Sequence, residues 1–192
     1  MKYDSITIDA ETVERNSFHF NAGLLTQLKQ FVNGPTQVVI SIVVESEILR
    51  HLTERTQSAK NAVDTAHKKA VEFGLKSPKD IAFAEPSPDA RVVAKTRLKK
   101  FVKEIGAHIL QVNEVPIEEV FQKYFSAAPP FAVSGKKKNE FPDAVALMSL
   151  EAWANKNNKR VLAVSGDKDW AAYADKSERI DVISDLFGSL RF

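Results

Sequence analysis

Four acidic motifs stand where apolar, strand-like runs stop or a helix begins: Asp9 in SITIDAET, Glu47 in VVESEIL, Asp143 in NEFPDAVAL, and Asp167 with Asp169 in AVSGDKDW. Carboxylates gathered at strand ends repel one another and raise each other's pKa unless a cation sits between them. Repeating that arrangement four times points to a bound metal. Oxygen-only ligands select Mg²⁺ or Mn²⁺, hard cations that retain waters for chemistry. The chemistry implied is metal-assisted hydrolysis of a phosphodiester.

Each acid taken singly also has an ordinary structural explanation. Asp9 directly after a strand can be an N-cap or an Asx turn, and nearby Glu11 and Glu14 read as solvated helix-face residues. Glu45 and Glu47 compete for one role. If Ser41 caps the following helix, Val44 and Ile48 share its buried face. Glu47 then borders that face, while Glu45 is turned roughly 100° from Val44, so Glu47 is preferred and Glu45 kept as auxiliary. Asp143 lies in the first turn of a helix, where the dipole alone favours an acid. Asp167 is nearer its strand end than Asp169 and is the first choice there, with Asp169 a second or water-mediated ligand. Ser165 can cap the short helix or hydrogen-bond to a metal ligand, and Trp170 reads as a core anchor. His19, His51, His67 and His108 show no metal-ligand spacing.

The elements that must position these acids alternate. Ile6 and Ile8 mark a strand ending at Asp9; Leu24, Leu25, Leu28 and Phe31 follow helical spacing up to Asn33-Gly34-Pro35. Val38 to Ile40 form a second strand, and Val44, Ile48 and Leu52 a second helix. From about Thr53 to Pro130 the pattern becomes mostly helical and basic, with two halves parted by a Pro-containing loop from Ser77 to Pro88 and a short helix at 115–125. A helix from Pro142 to about Ala154 follows, then a strand at 160–164, the Ser165-Gly166 turn, a helix from Asp167 to Ala174, and a last strand at 180–183. The expectation is an α/β fold, a central parallel sheet flanked by helices in a Rossmann-like, three-layer arrangement, as a single domain over 1–192 with a helical insertion over 53–130. Ligands of such sheets collect at the carboxyl ends of the strands, where Asp9 and Asp167 fall.

Composition narrows the partners. Net charge is only +2, yet residues 53–140 carry 16 Lys/Arg against 11 Asp/Glu, while the remainder carries 11 against 14. An acidic frame is interrupted by a basic middle, as suits carboxylates lying beside a surface that attracts polyanions. Lys95, Arg97, Lys99, Lys100 and Lys103, and the triple lysine Lys136, Lys137 and Lys138 just before Asp143, are the candidate phosphate contacts; for any one of them a solvated face is the competing explanation. The absence of cysteine removes disulfides, thiolate metal sites and cysteine nucleophiles. No stretch is long and apolar enough to span a bilayer, and the start has no signal core, so a cytoplasmic protein without membrane contact is expected.

ITIDAET, VVISIVVESEIL, EFPDAVALMSLEAW and VLAVSGDKDW, in that order, resemble the PIN-domain nucleases, in particular larger PIN-like proteins with a helical insertion. The resemblance covers roughly residues 5–52 and 139–187. It implies a metal-dependent endoribonuclease, a hydrolase acting on RNA, with Asp9, Glu47, Asp143 and Asp167 as the acidic set and Asp169 accessory. A homodimer and a protein partner or inhibitor stand open as further partners. Two departures are visible: Ala10-Glu11 replaces a small hydroxyl residue followed by Asn, and Ser41 stands where the second motif often has proline. Two rivals remain. One is a degenerate PIN-like module that binds RNA or protein without cutting. The other is a haloacid-dehalogenase-like phosphatase, in which Asp9 would form an aspartyl-phosphate.

Overall fold

Five short apolar runs form one sheet: β1 (Ser5–Ile8), β2 (Gln37–Ser41), β3 (His108–Leu110), β4 (Val161–Val164) and β5 (Ile180–Ile183). The computed structural model describes residues 2–75, 88–131 and 141–185. Strand order is β3-β2-β1-β4-β5, and every pairing is parallel. All four residues of β1 and of β4 are buried, so both faces of the sheet's centre are covered. This is why β4 reads as a continuous apolar run, while β1 alternates Ile6 and Ile8 with the small buried hydroxyl residues Ser5 and Thr7. The expected α/β fold with a central parallel sheet is what the chain adopts.

The order of the strands fixes where a ligand crevice can open. The chain moves from β1 to β2 to β3 on one side, then returns to place β4 on the other side of β1. Connections therefore leave in opposite directions at the β1/β4 boundary, the switch point at which parallel sheets open a crevice beyond their carboxyl ends. Register is tight there, with Ile8 opposite Val164 and the Asp9 amide donating to the Val164 carbonyl at 3.2 Å.

The helices are α1 (Ala10–Arg15), a 3₁₀ helix at Leu24–Phe31, α2 (Ile42–Glu72), α3 (Ala90–Glu104), α4 (Ile117–Phe125), α5 (Phe141–Asn157) and α6 (Lys168–Ala174). α5 buries Ala144 and every residue from Ala146 to Leu150, so it lacks a polar face over that stretch and must be enclosed. Ser149 on α5 donates to the Ser41 hydroxyl at the end of β2, at 2.9 Å, docking this helix beside the strand ends. At its far end Glu151 accepts hydrogen bonds from the Tyr173 hydroxyl and, at 2.7 Å, from Ser177, which ties α6 and the loop after it to α5.

Three sequence expectations meet a different outcome. The second helix does not stop near Leu52: α2 continues as 31 residues to Glu72. The stretch at 24–31 is 3₁₀ rather than α-helical. Within the region read as a helical insertion, His108–Leu110 is a strand of the central sheet, paired with Val39–Ser41. The chain divides into two compact units, Met1–Ile48 with Phe101–Phe192, and Leu49–Lys100. The second unit therefore ends near residue 100, and β3 and α4 belong with the sheet. The loop expected from Ser77 lies outside the described residues as far as residue 87. Among the described residues no helix is long and apolar enough to cross a membrane.

Candidate active site

Asp9 leaves β1 and caps α1: its Oδ1 accepts from the Thr12 amide at 2.6 Å, and its Oδ2 accepts from the Ser165 hydroxyl. The side chain is only 5 % exposed. Thr12, also buried, turns its hydroxyl the other way and donates to the Val164 carbonyl at 3.1 Å. Ser165 receives the Asp167 amide at 3.0 Å while donating to Asp9. Asp167 in turn caps α6, accepting from the Asp169 amide at 2.6 Å. One chain of hydrogen bonds thus runs from the end of β1 through the end of β4 to the start of α6. N-capping and a role as ligand are compatible, because a carboxylate has about four acceptor positions and a cap uses one.

Asp143, the third residue of α5, faces a different environment. Burial pushes its carboxyl up to about 6. The Trp170 indole N–H, 3.3 Å from Oδ1, opposes that rise, and the negative charges of Glu47, Asp167 and Asp9 add to it. Trp170 is thus the expected core anchor, 1 % exposed, and also a hydrogen-bond donor to the site. The charges that act on Asp143 include Glu47 and not Glu45. Glu45, half-buried, has its own pKa raised by burial alone. Asp9, Glu47, Asp143 and Asp167 are therefore the four acids that share one field, with Asp169 one helical step beyond Asp167 and Ser165 between two of them.

A shared negative field, with no basic group among the described residues acting on Asp143, is the donor chemistry that a hard divalent cation satisfies. Asp9, Glu47, Asp143 and Asp167 would hold Mg²⁺ or Mn²⁺. Among the described residues, no three acidic or histidine side chains are spaced as a ready-made metal cage.

The basic candidates divide into two groups. Lys95, Arg97, Lys99, Lys100 and Lys103 are all exposed on α3, whose buried positions Ala90, Ala94, Leu98 and Phe101 recur at helical spacing. Lys136, Lys137 and Lys138 lie outside the described residues. Sequence reasoning missed Thr12 and Arg15. The available signal was spacing: Thr12 is three residues after a capping Asp, and Arg15 three further, on one face of α1.

A parallel α/β sheet with acids at its β1/β4 switch point has the architecture in which such sheets bind ligands beyond their strand ends. The chain belongs to the PIN domain family, whose family model matches residues 6–170, from β1 to Trp170 in α6. Members of this family are generally nucleases and typically use divalent metals. Neither a curated protein nor a solved structure gives a significant match to the chain.

Proposed function

We propose that this protein is a metal-dependent endoribonuclease. The observation that carries this reading is the clustering of Asp9, Glu47 and Asp167 around the half-buried Asp143 carboxyl, which desolvation first and then their negative charges push up to about 6. Gathering four acids around one crevice is unfavourable in itself, and a divalent cation relieves it. When bound, that cation would neutralise phosphate charge and activate water for in-line attack.

The chain's own residues supply position and proton control. Asp9 is held by Thr12 and Ser165, and Asp167 by Ser165 and its own cap, so these two acids are presented at fixed places on either side of the switch point. Asp143 changes protonation close to neutral pH, so cation uptake is coupled to loss of a proton from its carboxyl. Glu47 contributes charge from the first turns of α2, and Asp169 assists from α6. Exposed Lys95, Arg97, Lys99, Lys100 and Lys103 attract the RNA backbone without regard to sequence, joined by Lys136, Lys137 and Lys138. An aspartyl-phosphate route fits Asp9 poorly, since the side chain is almost fully buried and both its oxygens accept hydrogen bonds.

The test is to incubate purified protein with single-stranded and structured RNA in Mn²⁺, Mg²⁺ or EDTA, beside Asp143→Asn. Cleavage that needs the divalent ion and vanishes in the variant is expected. Cleavage that persists in EDTA or in the variant would defeat the proposal, and binding without cutting would favour the non-catalytic module.

A further inference from the structure

Arg15, the last residue of α1, lies flat against the backbone of Gly166: a Cβ placed on that glycine would come 2.9 Å from Nη1 and 3.1 Å from Cζ and Nη2. Gly166 separates Ser165 from Asp167, so the guanidinium rests on the loop that carries the site's acids. Three contacts hold it there. Nη2 donates to the Ser184 carbonyl at 3.1 Å and to the Thr12 hydroxyl at 3.4 Å, and Nε lies 3.7 Å from the half-exposed carboxylate of Glu11. Nη1 has no hydrogen-bond acceptor among the described residues, and Arg15 makes no ion pair with Asp9, Asp143 or Asp167 there.

A positive charge so near an acidic cluster would ordinarily be drawn into it. Here the short reach from α1 and the bond to Ser184 hold it at the rim, partly screened by Glu11 and with its side chain 45 % exposed. Nη1, with its N–H donors unused, is suited to a charge-assisted bond to a phosphate oxygen. A Cβ at 166 would displace the guanidinium from this seat while the flexible side chain gives way.

We propose that Arg15 anchors a substrate phosphate flanking the scissile one, through Nη1, with Gly166 as the bare surface that seats it. The inference rests on the nuclease reading for the identity of the polyanion, but its test does not depend on cleavage. Binding of a fluorescein-labelled single-stranded oligoribonucleotide is followed by anisotropy across a salt series in EDTA, and cleavage separately at saturating RNA in Mn²⁺. Arg15→Gln should weaken binding roughly fivefold to tenfold, the scale of one charge-assisted contact. It should also reduce the slope of log K against log salt by about 0.7, one single-strand phosphate. Arg15→Lys should keep the slope while losing part of the affinity, and Gly166→Ala, which retains the arginine but evicts it, should reproduce Arg15→Gln. For Arg15→Gln the loss should fall mainly on KM rather than on the saturating rate, as for a contact made equally in the ground and transition states.

An unchanged slope in Arg15→Gln would overturn the inference. So would a lost saturating rate with intact binding, which would make Arg15 a clamp on the Gly166 loop. Wild-type protein that binds RNA but never cuts it would defeat the nuclease reading and leave the Arg15 slope to decide the inference by itself; wild-type protein that binds no RNA would overturn the anchor as well.

Discussion

The two halves of the site are built on opposite principles. On the β1/β4 side, Asp9, Thr12, Ser165 and Asp167 satisfy one another through a closed run of hydrogen bonds, most of them to backbone. On the helical side, among the described residues, Asp143 has one indole donor and three repelling charges. The first half is ordered whether or not anything binds. The second is held at an energetic cost that a cation would remove. Preorganisation and affinity are thus located in different residues, and mutations should separate them.

The largest expected effect is on the helical side. Asp143→Asn should lower the RNA cleavage rate by about a thousandfold or more, the scale of losing charge stabilisation from the cation, while keeping the fold. In metal-free buffer near pH 7.5 the same variant should be more stable than wild type, by on the order of 1–2 kcal/mol in denaturant unfolding. A variant that loses both activity and stability would erase the distinction between the halves.

On the other side the signs should reverse for stability. Ser165→Ala removes the hydroxyl shared by Asp9 and Asp167, so a stability loss of about 1–3 kcal/mol is expected from the buried acceptor left behind. Cleavage should fall roughly tenfold to a hundredfold, as for the loss of a residue that orients metal ligands. A stability gain for Ser165→Ala would contradict the view of this half as internally satisfied.

The pH dependence sharpens the contrast further. The Asp143 carboxyl titrates higher in the folded protein, about 6, than its ordinary 3.8. The folded state therefore binds its proton more tightly. Its contribution to stability is full below about pH 4 and is lost as pH rises through 6. In metal-free buffer the stability advantage of Asp143→Asn should accordingly be absent at pH 4 and grow up to about pH 7. Millimolar Mn²⁺ should raise the wild-type melting temperature by a few degrees at pH 7.5, through binding to the folded state, and should do so less at pH 5. An equal Mn²⁺ response in Asp143→Asn would place the cation elsewhere.

The smallest effect is expected at Trp170→Phe, which keeps the core ring and removes the indole N–H. That donor holds the Asp143 carboxyl down, so the acidic limb of the pH–rate profile should move upward by about half a unit, with a few-fold loss of rate at pH 6. A downward shift would mean that the donor acts on another group.

Much of this architecture was legible because β2, β4 and α5 are buried nearly all round, which writes apolar runs into the sequence. The order of the acids was legible beside them, since Asp9 and Asp167 each follow a strand and Asp143 lies in the first turn of α5. The course of α2 past Leu52 was not, because the composition changes at Thr53 while nothing breaks the helix. The hydroxyls of Thr53 and Thr56 bond back to the carbonyls of Leu49 and Leu52, at 2.7 Å each, and no proline or glycine intervenes before Gly74. β3 was hidden by length, since three residues at a sheet edge carry no period. Thr12 and Arg15 were hidden because their partners, Val164 and Ser184, lie 152 and 169 positions away.

That separation has a consequence for how the protein is made. β1 sits in the middle of the sheet, yet one of its two neighbouring strands, and the hydroxyl that fixes Asp9, come from residues 161–165. During synthesis from the N-terminus, β2 is available early, but β1 waits for its second neighbour until residues 161–164 have left the ribosome. The acids are correspondingly scattered along an incomplete polypeptide. On the proposed nuclease reading, cutting activity therefore waits until residues 161–167 have been made and have joined β1.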